Sequence, residues 1–250
     1  MFYIMVFRGK NIRYSLIALL ACVMLSSCNN ATTTQTSAEQ SNVIDLGLSV
    51  LWADRNIGAD SPSDYGDYFA WGETTPKNTY SWDNYKYCKS GELSINTDLP
   101  LITKYCAEND CGIVDNKKIL EPEDDAATQN WGNGWRMPTL DEYMELIMNC
   151  DGKWTERDGI KGCEFTSKKN GNKVFFPAAG RKDEKSLSDT ASVGLYWTAC
   201  IYETPSYLSS LISSDAYTPP CLNFNHNDAI RGYLFGRSCG LPVRAVRSKN

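Results

Sequence analysis

The clearest helical stretch in the chain is TLDEYMELIMNC, residues 139–150, and the apolar runs that follow it are too short and too broken to make another. Thr139 can cap that helix, with Glu142 three residues on as the reciprocal partner, and Leu140, Tyr143, Met144 and Ile147 then share one face. Downstream, KVFFPAAG, GLYWTAC, CLNFN, RGYLF and LPVRAV are aromatic or β-branched and separated by Gly, Pro, Asn and Asp. They read as strands of an antiparallel sheet with long loops between them. Upstream, VIDLGLSVLWADRNIGA suits a strand and a turn, SPSDYGDYFAWGE a packed irregular loop, and DDAATQNWG a short helix with Asp124 or Asp125 at its start. Two helices among many short strands predict an α+β domain.

The N-terminus belongs to a different kind of segment. Arg8, Lys10 and Arg13 precede an apolar run from Leu16 to Leu25 that ends in LSSC. A basic start, a short apolar stretch and small residues are the pattern of a secretory signal over residues 1–27, and the run is shorter than the roughly 20 residues a membrane span needs. Leu25, Ser26, Ser27 and Cys28 resemble a bacterial lipobox, which would make Cys28 the acylated N-terminus of the mature protein; Asn29 after it favours the outer membrane. Residues 28–42 are small and polar and read as a tether, and one domain is expected over 43–250. The membrane would be reached through the lipid alone.

The full chain carries a formal charge of −5, and losing the three signal cations leaves the exported part more acidic still. No basic cluster is visible, so nucleic acid is not expected as a partner. Of ten cysteines, Cys22 and Cys28 fall outside the domain. The remaining eight allow 105 pairings in an oxidising compartment, and both disulfides and free thiols stay open. The cysteines lack C-x-x-C spacing and there is a single histidine, so no metal and no cofactor is expected. The acidic EPEDD, residues 121–125, reads as a solvated helix start rather than a calcium loop.

Catalytic patterns fare no better. GRSCG, residues 236–240, matches G-x-S-x-G, but LPVRAVRSKN follows where an elbow needs a helix, and no histidine lies downstream. His226 sits between asparagines and reads as an exposed polar residue. Trp52, Tyr65, Phe69, Trp71, Trp131 and Trp135 read as core, and Arg136 and Arg237 as donors to loop carbonyls.

VIDLGLSVLWADRNIGA, YGDYFAWGETTPK, WGNGWRMPTLDEYMEL, VFFPAAG, GLYWTA and GLPVRAV, in that order, resemble the Fibrobacter major paralogous domain family, lipoproteins of Bacteroides-type gut bacteria. Arg136, Pro138, Thr139 and Glu142 are also similar to a core motif of formylglycine-generating enzymes. The resemblance implies a C-type-lectin-like fold. Within that fold, Tyr196, Trp197, Thr198 and Gly240, Val243, Arg244 stand where the variable proteins of diversity-generating retroelements frame a rewritten ligand-binding segment, here 194–247. Cys200, Cys221 and Cys239 depart from the relatives and could be products of the same variation.

That likeness sets the functional expectation, a lipid-anchored, monomeric, non-enzymatic binding protein for a protein or glycan. Alternation in CLNFN sends Leu222 and Phe224 inward and Asn223 and Asn225 outward. The expected ligand-binding residues are Tyr202, Glu203, Tyr207, Asn223, Asn225, His226, Asn227, Asp228, Arg231, Tyr233 and Phe235, a mixture of adaptable amides and low-entropy aromatics like that of antibody paratopes. A structural cell-envelope or fimbrial accessory role is one alternative. A formylglycine-generating-type oxidase is the other; it would use two cysteines with copper near the C-terminus, where only Cys239 stands.

Overall fold

The two ends of the domain meet in one antiparallel sheet. Val43–Ile44 (β1) pairs with Val50–Asn56 (β2), which pairs with Arg244–Ser248 (β16), which in turn pairs with Trp135–Arg136 (β6). The expected single strand is thus two: Gly47, at φ 72°, turns the chain while Asp45 accepts from its N–H. The computed structural model describes residues 43–94, 100–132, 134–201, 217–227 and 230–249. All of them fall in the unit Gln35–Asn250. The expected segments 1–27 and 28–42, Cys28 among them, lie outside the described residues.

Elsewhere the strands form small separate sheets rather than one. Tyr68–Phe69 (β3) pairs with Leu241–Pro242 (β15), and Cys88–Leu93 (β4) with Pro100–Ile102 (β5). Cys150–Arg157 (β7), Ile160–Ser167 (β8) and Lys173–Pro177 (β9) make a meander, and Arg181–Asp183 (β10) pairs with Ser186–Ser188 (β11). Val193–Trp197 (β12), Pro220–Asn225 (β13) and Ile230–Leu234 (β14) form a three-stranded antiparallel sheet. The described residues form a mixed α+β structure with two α-helices.

Both helices start where the capping residues dictate. Asp125 caps Ala126–Trp131 (α1), accepting from Thr128 N at 2.9 Å. Thr139 caps Leu140–Asn149 (α2): its hydroxyl accepts from Glu142 N and its own N–H donates to Glu142 Oε2 at 2.9 Å. The buried face of α2 is Leu140, Tyr143 and Leu146, while Met144 and Ile147 are half-buried. Arg136 forks onto Glu142 and also donates to Met137 O, tying strand β6 to the helix start.

EPEDD is not a solvated helix start. Asp124 is 2% exposed and accepts from Lys86 Nζ at 2.9 Å, Lys104 Nζ at 2.5 Å and Tyr105 Oη at 2.7 Å. Two ammonium partners are what make its burial tolerable, since an unpaired buried carboxylate is costly.

Two apolar cores flank the β12–β14 sheet. Leu195, Trp197 and Cys221 point into one, with Trp71, Trp131 and Trp135; Tyr196, Leu222 and Phe224 point into the other, with Trp52, Tyr143 and Phe176. Trp52, Phe69, Trp71, Trp131 and Trp135 are buried as expected, and Tyr65 is half-buried. Arg237 donates to Lys104 O and Tyr105 O at 3.1 Å each beneath the Trp71 ring. All eight cysteines of the domain are free thiols, none bridged to another.

Candidate functional site

The frame around 194–247 is fixed by buried polar anchors. Tyr196 Oη donates to Pro177 O at 2.7 Å, Trp197 Nε1 to Phe69 O at 2.7 Å, and Thr198 Oγ1 to Pro220 O at 2.8 Å. At the far end the fully buried Arg244 donates to Asn56 Oδ1, Ala53 O and Phe175 O, and stacks 4.3 Å from the Phe176 ring centre. Its burial pulls the guanidinium pKa down, yet the three acceptors hold the charge in place.

Within this frame the ladder register decides which residues face together. Val193 pairs with Asn225 and Leu195 with Asn223, while Asn223 also faces Arg231 and Cys221 faces Tyr233 across to β14. Val193, Leu195, Cys221, Asn223, Asn225 and Tyr233 share the face opposite Leu222 and Phe224. At the Trp197 end that face is packed core. At the Val193 end it opens into a cavity of about 250 Å³ lined by Arg181, Asp189, Val193, Leu195, Asn223, Asn225, Tyr233 and Phe235.

Four of the expected binding residues therefore meet in one pocket: Asn223, Asn225, Tyr233 and Phe235. Asn223 departs from the expectation in one respect, because it is only 7% exposed. Alternation names its face correctly, but that face is covered there by the pocket walls. Its Oδ1 is buried and has no hydrogen-bond partner among the described residues. Asn225 is half-buried and accepts from Asn227 N at 2.9 Å, so it shapes the following turn as well. Tyr233 is 39% exposed, and its ring centre lies 6.5 Å from that of Phe235, tilted by 44°. His226 and Asn227 are exposed beyond the pocket, with His226 6.3 Å from the half-buried Trp154 ring. Tyr202, Glu203, Tyr207 and Asp228 lie outside the described residues, and Arg231 is placed by its backbone pairing alone.

Sequence reasoning missed the opposite wall. Arg181 stands on the β10–β11 hairpin and Asp189 directly after it. Arg181 donates through Nε to Asp183 Oδ2 at 2.6 Å, pairs with Asp189, and lies 5.4 Å over the Phe235 ring. The hairpin is held by Gly180 N donating to Val193 O and by reciprocal bonds between Lys182 and Gly240. Gly180 has φ 62°, and a Cβ there would lie 2.0 Å from Ser188 O, so only glycine lets the hairpin approach. Cys239 donates to Asp183 Oδ1 at 2.8 Å; burial and then that carboxylate push its thiol up to about 12, which keeps it a donor rather than a nucleophile at neutral pH.

A second cavity, about 330 Å³, is lined by Glu73, Thr74, Thr75, Lys77, Asn84 and Lys86. Its charges are satisfied from within: Glu73 accepts from Lys77 Nζ and Lys86 N, and Lys77 also bonds Asn84. Among the described residues no three His, Cys, Asp or Glu side chains gather closely enough to hold a metal, and no helix is long and apolar enough to cross a membrane. Comparison with family models, curated proteins and solved structures returns no match.

Proposed function

We propose that the protein is a lipid-anchored, extracytoplasmic recognition protein. It binds a protein or glycan through the pocket between the β12–β14 sheet and the β10–β11 hairpin, on a C-type-lectin-like scaffold. One observation carries this reading. Asn223 and Asn225 of β13, Tyr233 of β14 and Phe235 just after it converge on a single cavity. The aromatic pair beside it supplies contact area with few torsions to freeze.

Screening the intact chain against a glycan array and a displayed peptide library, then repeating each hit with Asn225, Asn227 and Tyr233 replaced by alanine, tests the reading. The triple variant is expected to lose binding while its melting temperature stays nearly unchanged. Hits kept in full by the triple variant would move the binding surface elsewhere.

A further inference from the structure

We infer that Cys106 and Cys111 are a redox pair, which an external disulfide oxidises to an intrachain disulfide that closes and stabilises the turn between them. Neither the pocket nor its ligand takes part.

Both thiols are aimed at one residue. Cys106 Sγ donates to Glu108 O at 3.2 Å, and Cys111 Sγ donates to Glu108 Oε2 at 3.4 Å. The same Glu108 O accepts from Cys111 N at 3.1 Å and so closes the turn. The Cys106 sulfur and the Cys111 amide therefore share a single oxygen, and the Cys111 sulfur is three bonds from that amide. Bond formation asks both side chains to rotate off Glu108, while the turn already brings the two residues to one atom.

The surroundings give the bond something to stabilise. Ile102, Cys106, Cys111 and Tyr217 form a buried cluster separate from the two main cores, with Trp82 and Cys88 packed against it. Two of its four buried members are cysteines, which are small, so burial alone holds this corner weakly. Next to Cys106 stands Tyr105 at φ 61°, a left-handed conformation uncommon outside glycine. Asp115 holds it there, accepting from Tyr105 N at 3.0 Å and Cys106 N at 2.9 Å. A covalent tie at the adjoining residue restricts the unfolded chain and so offsets that strain.

The rival partner in the same cluster is Cys88. Its Sγ turns instead to the 82–85 segment, donating to Trp82 O at 2.8 Å and Tyr85 O at 3.3 Å. Cys150 and Cys163 face Ser167 and Trp154 across the β7–β8 ladder, which sets them roughly 13 Å apart along the strands, beyond the reach of a disulfide.

The chemistry balances with a disulfide R–S–S–R as oxidant. Cys111 is the reachable thiol, 7% exposed against 0% for Cys106. Its proton passes to the Glu108 carboxylate as its sulfur attacks R–S–S–R, forming a mixed disulfide and expelling R–S⁻, which takes the proton from Glu108. Cys106 Sγ then attacks Cys111 Sγ and breaks the mixed disulfide, and its proton leaves with the second R–S⁻. Two protein thiols are oxidised and one external disulfide is reduced to two R–SH.

The test equilibrates the full chain in mild detergent with reduced and oxidised glutathione, quenches with iodoacetamide and digests with trypsin. Residues 105–117 form one tryptic peptide that carries Cys106 and Cys111 and no other cysteine. With oxidised glutathione in excess we expect that peptide to escape alkylation and to be lighter than the dithiol by the two hydrogens lost. The melting temperature should rise by about 5 °C on oxidation, and the rise should vanish in Cys106→Ala and in Cys111→Ala. Peptide mapping needs no variant, so it decides the matter even if a substitution unfolds the chain. A doubly alkylated 105–117 peptide under excess oxidised glutathione overturns the pair. So does a lasting glutathione adduct on Cys111, or linkage of either cysteine to the 87–89 peptide of Cys88. A disulfide that forms without raising the melting temperature overturns its stabilising role.

Discussion

Phe224 lies directly over Gly194, its ladder partner on the neighbouring strand, so closely that a Cβ on Gly194 would come 2.0 Å from the Phe224 ring. The ring fills the space a side chain would take, and it is locked on the core side between Phe165 and Tyr196. Its neighbours in sequence, Asn223 and Asn225, are thereby held on the other face, where the pocket is. Packing on one side of the sheet sets the chemistry displayed on the other.

Gly194→Ala should destabilise the domain by about 2 kcal/mol, the cost of forcing a methyl into a filled core. Gly236→Ala is the control, because the nearest atom to its Cβ would be 3.8 Å away. Denaturant unfolding of both variants checks this, and similar midpoints for the two would refute the packing role of Phe224.

Asp124 should make stability sensitive to acid. Burial alone would raise its carboxyl pKa, but the hydrogen bonds from Lys104 and Lys86 outweigh it and hold the group well below the usual carboxylate range. A folded pKa below the unfolded value of about 3.9 contributes stability that is fully present above that value and fades as pH falls below it. Asp124→Asn should cost about 2 kcal/mol at neutral pH and flatten the fall in melting temperature in acid. An unchanged acid profile would remove Asp124 from the explanation.

Helix α2 should depend more on Glu142 than on Thr139. Thr139→Ala removes the hydroxyl that accepts from Glu142 N, worth about 1 kcal/mol. Glu142→Ala removes the return bond to Thr139 N and both bonds from Arg136. Thermal melts of the two variants rank them, with Glu142→Ala expected to fall further.

Lipid attachment predicts that Cys28→Ser abolishes labelling of the cells' protein with a radioactive or clickable fatty acid. The variant should also pass into the aqueous phase on detergent partitioning. Labelling that survives the substitution would place the acyl chain, and the anchor, at another residue.

The elements legible in the sequence were those governed by local rules. The T-x-x-E capping box marked α2 to within a residue, and the aromatic C-terminal runs all proved to be strands. The β7–β8 hairpin escaped because its strands are half polar, although Asp158-Gly159, at φ 52° and 79°, is a strong signal for a tight hairpin turn. Alternation in CLNFN told which face each residue takes but not whether that face is covered, so Asn223 was expected outside and lies at the pocket floor. Arg181 and Asp189 were invisible because RKDEKSLSD, with one apolar residue, carries no apolar pattern to place it in the fold. What brings them to Tyr233 and Phe235 is pairing between distant segments, through Gly180 to Val193 and Lys182 to Gly240.

Isotope-edited NMR of the full chain, observing the Asn223 and Asn225 side-chain amides as a hit from the glycan or peptide screen is added, tests most directly whether this pocket is where the protein meets its ligand. The predicted result is that the largest shifts fall on those two amides and on Tyr233 and Phe235, and vanish in Tyr233→Ala. Shifts centred instead on the Glu73, Lys77 and Lys86 cavity, with the two amides unmoved, would contradict it.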